Sequence, residues 1–131
     1  MRLWHKNLIS VLPRKQLLSQ WRECCAIAKS IKEKGTPNHI LVNKVMDYPI
    51  SHLWFYGYLV ADEIAQRGYN CDFNKFEKYF DHNVYLDTPT KSNLFLDWHN
   101  DRYLKQCYYN LQEKYDCGGI TQEEWDKIEG R

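Results

Sequence analysis

In Pro13-Arg14-Lys15-Gln16-Leu17-Leu18-Ser19-Gln20-Trp21-Arg22-Glu23-Cys24-Cys25-Ala26-Ile27-Ala28-Lys29-Ser30-Ile31-Lys32-Glu33-Lys34-Gly35, the residues Leu17, Trp21, Cys24, Ala28 and Ile31 recur at three- and four-residue spacing. That period describes an amphipathic helix. Pro13 suits its start, where the missing N–H costs nothing. Gly35, followed by Thr36-Pro37, suits its end. At about 100° per residue, Glu23 falls on a flanking stripe with Gln16, Gln20 and Ile27, while Arg22 points to the other side. Glu23 is thus expected at the border of core and surface.

Working outward, residues 1–12 read as an ordered apolar arm carrying Leu3, Trp4, Leu8, Ile9, Val11 and Leu12. Residues 38–48 are ambiguous, since Ile40-Leu41-Val42 fits a short strand or an extended crossing segment. A second helix is predicted from about Pro49 to Arg67, with Gly68 as its stop. Gly57 in its middle is unfavourable for a helix and marks a close approach by a neighbouring element. Residues 69–100 show one or two helical turns around Phe73–Phe80 and a turn at Asp87-Thr88-Pro89-Thr90. A third helix is predicted over about 101–115, and Thr121 with Glu124 looks like a capping box opening a short last helix. The expectation is an all-α fold, one domain over residues 1–131, with three principal helices, the N-terminal arm and long aromatic-rich connections. The closing Ile128-Glu129-Gly130-Arg131 matches a sequence often engineered as a protease site, and 128–131 are expected to be partly foreign.

The formal net charge is +1, but it is unevenly spread. Residues 1–46 hold nine Lys/Arg and two acids, a surplus of seven; the remainder holds nine against fifteen, a deficit of six. A basic first helix fits a polyanion-binding face or a merely solvated one. Ten Tyr, five Trp and five Phe suit core packing and base stacking alike. Five cysteines without paired spacing read as free thiols in a reducing compartment. With no leader pattern and no long apolar run, the chain is expected to be soluble and cytoplasmic, without a membrane partner, and a monomer.

Three constellations could carry chemistry. The first is the chain-terminal amine. An α-amine titrates near about 8, against about 10.4 for lysine, so a fraction of it is the neutral nucleophile at neutral pH. Methionine is usually retained before a large residue such as Arg2, so the amine would be that of Met1. Such an amine can attack a sugar C1′, expel the base and hold the sugar as an imine, with a nearby carboxylate moving protons. The second is metal. His5, Cys24, Cys25, His39, Cys71, His99, Cys107 and Cys117 are ligand types, but none has the paired spacing of a zinc site. Core thiols are the better reading, and no metal or cofactor is expected. The third is Asp97-Trp98-His99-Asn100-Asp101, which fits either a divalent-ion site of a nuclease or a polar helix start with Asp101 as N-cap; the cap is preferred.

Arg2 behind the amine, Gln16-Leu17, and Trp21-Arg22-Glu23 about twenty residues in resemble, in that order, the pyrimidine-dimer DNA glycosylase family. Asn38-His39-Ile40 and Gln66-Arg67-Gly68-Tyr69-Asn70 resemble later family landmarks more loosely, and the likeness covers about residues 1–70. The resemblance implies that Met1 supplies the nucleophile and Glu23 the catalytic carboxylate. It implies that Arg2 and Arg22 hold phosphates beside the lesion. Basic and polar residues nearby (His5, Arg14, Lys15, Gln16, His39 and Lys44) are the remaining candidates for DNA contact, although His5 and His39 read at least as well as satisfied structural histidines. The implied partner is double-stranded DNA bearing a pyrimidine dimer, another damaged base or an abasic site, and the implied activity is N-glycosylase with abasic-site lyase. The chain departs from the family pattern in keeping Met at its start, in Ala26 where a further Arg is usual, and in its acidic residues 108–131. Two other readings remain: a non-catalytic nucleic-acid-binding module using the basic helix, and a metal-dependent nuclease.

Overall fold

The computed structural model describes all 131 residues, and every regular element in it is helical. The principal helices are α1 (Arg14–Lys34), α2 (Ile50–Gln66) and α4 (Asp101–Asp116); α3 (Asn74–Glu77) is one turn and α5 (Gln122–Glu129) two. Short 3-10 segments occupy Lys6–Val11, Asn43–Asp47 and Val84–Asp87. A 25-residue apolar cluster runs through all of it, from Leu3 in the arm to Ile128 in α5.

α1 begins behind Pro13, whose carbonyl accepts the Leu17 N–H at 2.9 Å. It ends on Gly35, held at φ 77° with its N–H on the Ile31 carbonyl. Only glycine enters that left-handed region without a Cβ penalty. α2 is the central element, against which α1, the arm and the turns pack. Gly57 has a definite reason. A Cβ built there would stand 2.4 Å from the Phe76 ring, so that ring lies directly on the α2 backbone. Arg67 ties the end of α2 to the end of the arm. Its guanidinium pairs with Glu63 at 2.8 Å and donates to the carbonyls of Leu12 (2.8 Å) and Ser10 (3.2 Å).

Two local expectations are corrected. Ile40-Leu41-Val42 is neither strand nor extended: the His39 carbonyl accepts from both Val42 and Asn43, which closes a turn leading into the 3-10 segment. The cap of α4 is Asn100, whose side-chain oxygen accepts the Tyr103 N–H at 2.9 Å; Asp101 is the first helical residue. Residues 69–100 are stitched into the core by aromatic side chains rather than by helical periodicity. Phe76, Leu94 and Phe95 are fully buried, and Phe73 and Phe76 pack against Trp21 of α1. The capping box of α5 forms as expected between Thr121 and Glu124.

A buried polar cluster locks the arm to the start of α4. Lys6 Nζ donates to the carbonyls of Ser92 (3.0 Å) and Leu94 (2.7 Å), and the Lys6 N–H donates to His99 Nδ1 (3.0 Å). The His99 proton therefore sits on Nε2, a buried atom with no partner. Burial, then the neighbouring His5 and Lys6, push the His99 pKa down to about 2 from 6.5. The unfolded chain takes up a proton below 6.5 that the folded chain refuses, so stability is complete above 6.5 and lost as pH falls. The urea-unfolding free energy should decline by about 1.4 kcal/mol per pH unit from this group once pH is well below 6.5. His99→Phe should remove about one proton from that slope between about pH 6 and 5, above the carboxylate range.

Candidate active site

The arm and α1 meet at one polar joint. Gln20 is polar, yet it lies on the buried side of α1 with Leu17, Cys24 and Ile27 and is fully inaccessible. Its amide uses its whole bonding capacity. Oε1 accepts the Trp4 N–H at 2.7 Å and lies 2.8 Å from the Tyr56 hydroxyl. Nε2 donates to the Arg2 carbonyl at 2.8 Å and to Glu23 Oε2 at 3.1 Å. The Trp4 N–H can only donate and the Arg2 carbonyl can only accept, so the amide has one workable orientation. The Tyr56 hydroxyl also reaches the Trp4 carbonyl at 2.6 Å, and its single proton serves one acceptor at a time. One buried side chain thus fixes the Arg2 carbonyl, next along the chain from Met1, and the Glu23 carboxylate together.

Above this joint lies an open cleft of about 370 Å³ lined by residues of the arm, α1, the 38–42 turn and α4. Met1, Arg2, Lys15, Gln16 and Glu23 all face it, joined by Lys114 and Asn110 from α4. Glu23 is half-buried, as its border position on the helix requires, and Met1 is 46 % exposed. The chain's one ion pair shorter than 4.0 Å is Arg67–Glu63, so neither the terminal amine nor Glu23 is committed to one. Gln16 Oε1 is buried without a protein partner. Arg2 leans its guanidinium over the Trp4 ring, 5.3 Å from its centroid. An amine, a carboxylate and three basic side chains (Arg2, Lys15 and Lys114) around one hollow can hold an anionic ligand and perform proton transfer on it.

The other candidates lie elsewhere. His5 is corrected from a DNA-contacting residue to an interior one. Its Nε2 bonds the His99 carbonyl at 2.9 Å, its Nδ1 accepts the Asn7 N–H at 3.1 Å, and burial lowers its pKa. Lys6, counted in the basic surplus, is equally internal. Arg14 turns toward the end of the chain: its N–H bonds Glu124 Oε2 at 3.0 Å and its guanidinium covers the Tyr69 ring. Arg22 is exposed on the outer face of α1 and donates to Ser19 Oγ at 3.1 Å. His39 shapes the 38–42 turn, its Nδ1 accepting from the Leu41 N–H at 3.3 Å. Lys44 lines a neighbouring hollow. Sequence reading missed Gln20 as a ligand of Glu23, although their spacing of three put them on one stripe. It also missed Asn110 and Lys114, whose spacing of four gives one face of α4 but nothing to aim it.

A family model for pyrimidine dimer DNA glycosylases matches residues 1–77, well over half of the chain. The chain belongs to the pyrimidine dimer DNA glycosylase family. Comparison with curated proteins and with solved structures gives no significant match. The glycosylase match spans the arm, α1, α2 and α3, and so includes Met1, Arg2, Gln20 and Glu23; it stops before α4, which contributes Asn110 and Lys114 to the cleft. Membership makes the protein a DNA glycosylase acting on pyrimidine dimers and a binder of damaged DNA. No group of three His, Cys, Asp or Glu side chains in the glycosylase is arranged to hold a metal ion. In the Asp97–Asp101 segment, His99 is internal and its Nδ1 is occupied, which leaves that stretch its capping role.

Proposed function

We propose that the glycosylase works through its Met1 amine and cleaves the strand as an abasic-site lyase. What supports this most is that Met1 and Glu23, neither in an ion pair, face one basic cleft, beneath which the Gln20 amide bonds both the Glu23 carboxylate and the carbonyl of Arg2, the residue after Met1. The neutral amine attacks the sugar C1′; the bond from C1′ to the base breaks, and the base departs with the electron pair and takes up a proton. The C1′–O4′ bond then opens to leave a protonated imine between Met1 and C1′, with the proton from the nitrogen passing to O4′. The Glu23 carboxylate accepts a C2′ proton, the C3′–O bond breaks, and the 3′ phosphate leaves. Water hydrolyses the imine and returns the amine. Arg2, Lys15 and Lys114 hold the phosphates on either side, and Gln16 Oε1 offers an unused acceptor. The protein is proposed to act on double-stranded DNA, as a monomer in the cytoplasm.

Borohydride reduces an imine to a stable amine, so it should freeze the protein onto an abasic duplex, and EDTA should not prevent it. A binding module would leave no covalent product. A metal-dependent nuclease would cut in a reaction that EDTA stops. Either of those results overturns the proposal.

A further inference from the structure

Beside the cleft, the 38–42 turn holds two apolar side chains in water. Ile40 is 85 % exposed, more than any other large hydrophobic residue in the chain, and Leu41 is 49 % exposed. The turn beneath them is firmly built. Asn38 takes φ 54°; Asn43 Oδ1 accepts the His39 N–H at 3.0 Å; the His39 carbonyl accepts from Val42 (3.0 Å) and Asn43 (2.9 Å); and Val42 is fully buried as its anchor. Exposure of Ile40 is therefore fixed by backbone bonds rather than left to chance. Leu41 lines the cleft that holds Met1 and Glu23 and also a second hollow of about 350 Å³ with Lys44, Trp98, Arg102 and Tyr103. Glu23 is the one carboxylate lining either hollow. An apolar tip stands between two cationic hollows, the pattern that duplex DNA complements with phosphates outside and bases inside.

We propose that Ile40 is a wedge that enters the base stack next to the lesion when the glycosylase binds a duplex. A sugar C1′ inside a stacked duplex is out of reach of Met1, so a nucleotide must leave the helix, and the gap it leaves loses its stacking. An aliphatic side chain filling the gap offsets part of that loss and holds the duplex kinked. Leu41 borders the insertion on the cleft side, while Lys44 and Arg102 take phosphates on the other. This inference rests on the reading of the cleft as the site of base removal.

The test uses the full chain, Ile40→Ala and Ile40→Leu, with a duplex carrying a non-reactive abasic analogue beside 2-aminopurine. The wild type should raise the 2-aminopurine fluorescence several-fold on binding. Ile40→Ala should bind with most of that rise gone, and Ile40→Leu should restore it. On a reactive abasic duplex, Ile40→Ala should cleave about tenfold more slowly or worse, while borohydride trapping on a single-stranded abasic oligonucleotide stays unchanged because nothing there needs unstacking. Equal fluorescence and cleavage in wild type and Ile40→Ala would overturn the wedge. So would loss of single-strand trapping in Ile40→Ala, or a concentration-dependent dimer that the substitution dissolves. If the wild type raises fluorescence in an Ile40-dependent way but traps on neither DNA, the wedge stands and the imine chemistry falls. If it traps on both without a fluorescence rise, the reverse holds.

Discussion

Glu23→Gln is expected to lower strand cleavage at an abasic site by about a thousandfold, while the Kd for the same duplex moves less than about threefold. The substitution keeps the shape of the side chain and removes its charge and basicity. Gln20 Nε2 donates to Glu23 Oε2 in the folded protein. The introduced amide must therefore turn its oxygen to Gln20 and its NH₂ into the cleft, where it can neither accept a C2′ proton nor stabilise a cationic sugar. Glu23 is half-buried and in no ion pair, so stability should change by less than about 0.5 kcal/mol. The phosphate contacts proposed for Arg2, Lys15 and Lys114 are left untouched, so binding should survive. Single-turnover cleavage and a binding isotherm on a non-reactive abasic duplex separate the two quantities. Full cleavage by Glu23→Gln would remove Glu23 from the mechanism.

The second large effect is at Gln20. Gln20→Leu strips the partner from the Trp4 N–H, the Arg2 carbonyl and the Glu23 carboxylate at once, all in or next to the dry core. A buried polar group left unpaired costs about 1–3 kcal/mol, so the loss should total about 2–4 kcal/mol in urea unfolding. Where the variant is still folded, the arm loses its register against α1, and kcat should fall about a hundredfold. Gln20→Glu distinguishes positioning from mere stability. It preserves the oxygen facing Trp4 and Tyr56 but puts a second carboxyl at hydrogen-bond distance from Glu23. Two such groups share a proton, so the acid limb of the lyase pH–rate profile should move to higher pH. A purely structural Gln20 would lower the Tm of both variants and leave that limb in place.

How much of this was legible in the sequence depends on whether the deciding interaction is local. The ends of α1 were legible because Pro13 and Gly35 act within one turn of themselves. Glu23 was placed on the core border because its angle from Leu17 and Cys24 is fixed by helix geometry alone. Gln20 sits in the same stripe, yet hydropathy ranks it polar. Its complete burial is allowed only by four partners, two from the arm's backbone and one from α2, that no pattern displays. The interior places of His5, a candidate for DNA contact, and of Lys6, counted in the basic surplus, escape the sequence for the same reason. The groups that satisfy them lie at Ser92, Leu94 and His99, more than eighty residues away. Residues 69–100 resisted reading because their aromatic side chains are buried from irregular backbone, where neither a period of two nor of 3.6 applies. Ile40-Leu41-Val42 reads as a short strand or an extended crossing segment because an apolar run normally signals burial. Here a closed turn holds Ile40 and Leu41 out of the core, and the apolar character belongs to the surface the turn presents.

The central claim is that the nucleophile is the first nitrogen of the chain rather than another amine in the same cleft. Lys15 and Lys114 both line it. Borohydride trapping on an abasic duplex, followed by digestion and mass mapping of the adduct, decides among them. The account predicts the sugar remnant on the peptide that begins with Met1, attached at its α-nitrogen. An adduct on the peptide containing Lys15 or Lys114, or no adduct while the strand is still cut, would contradict it.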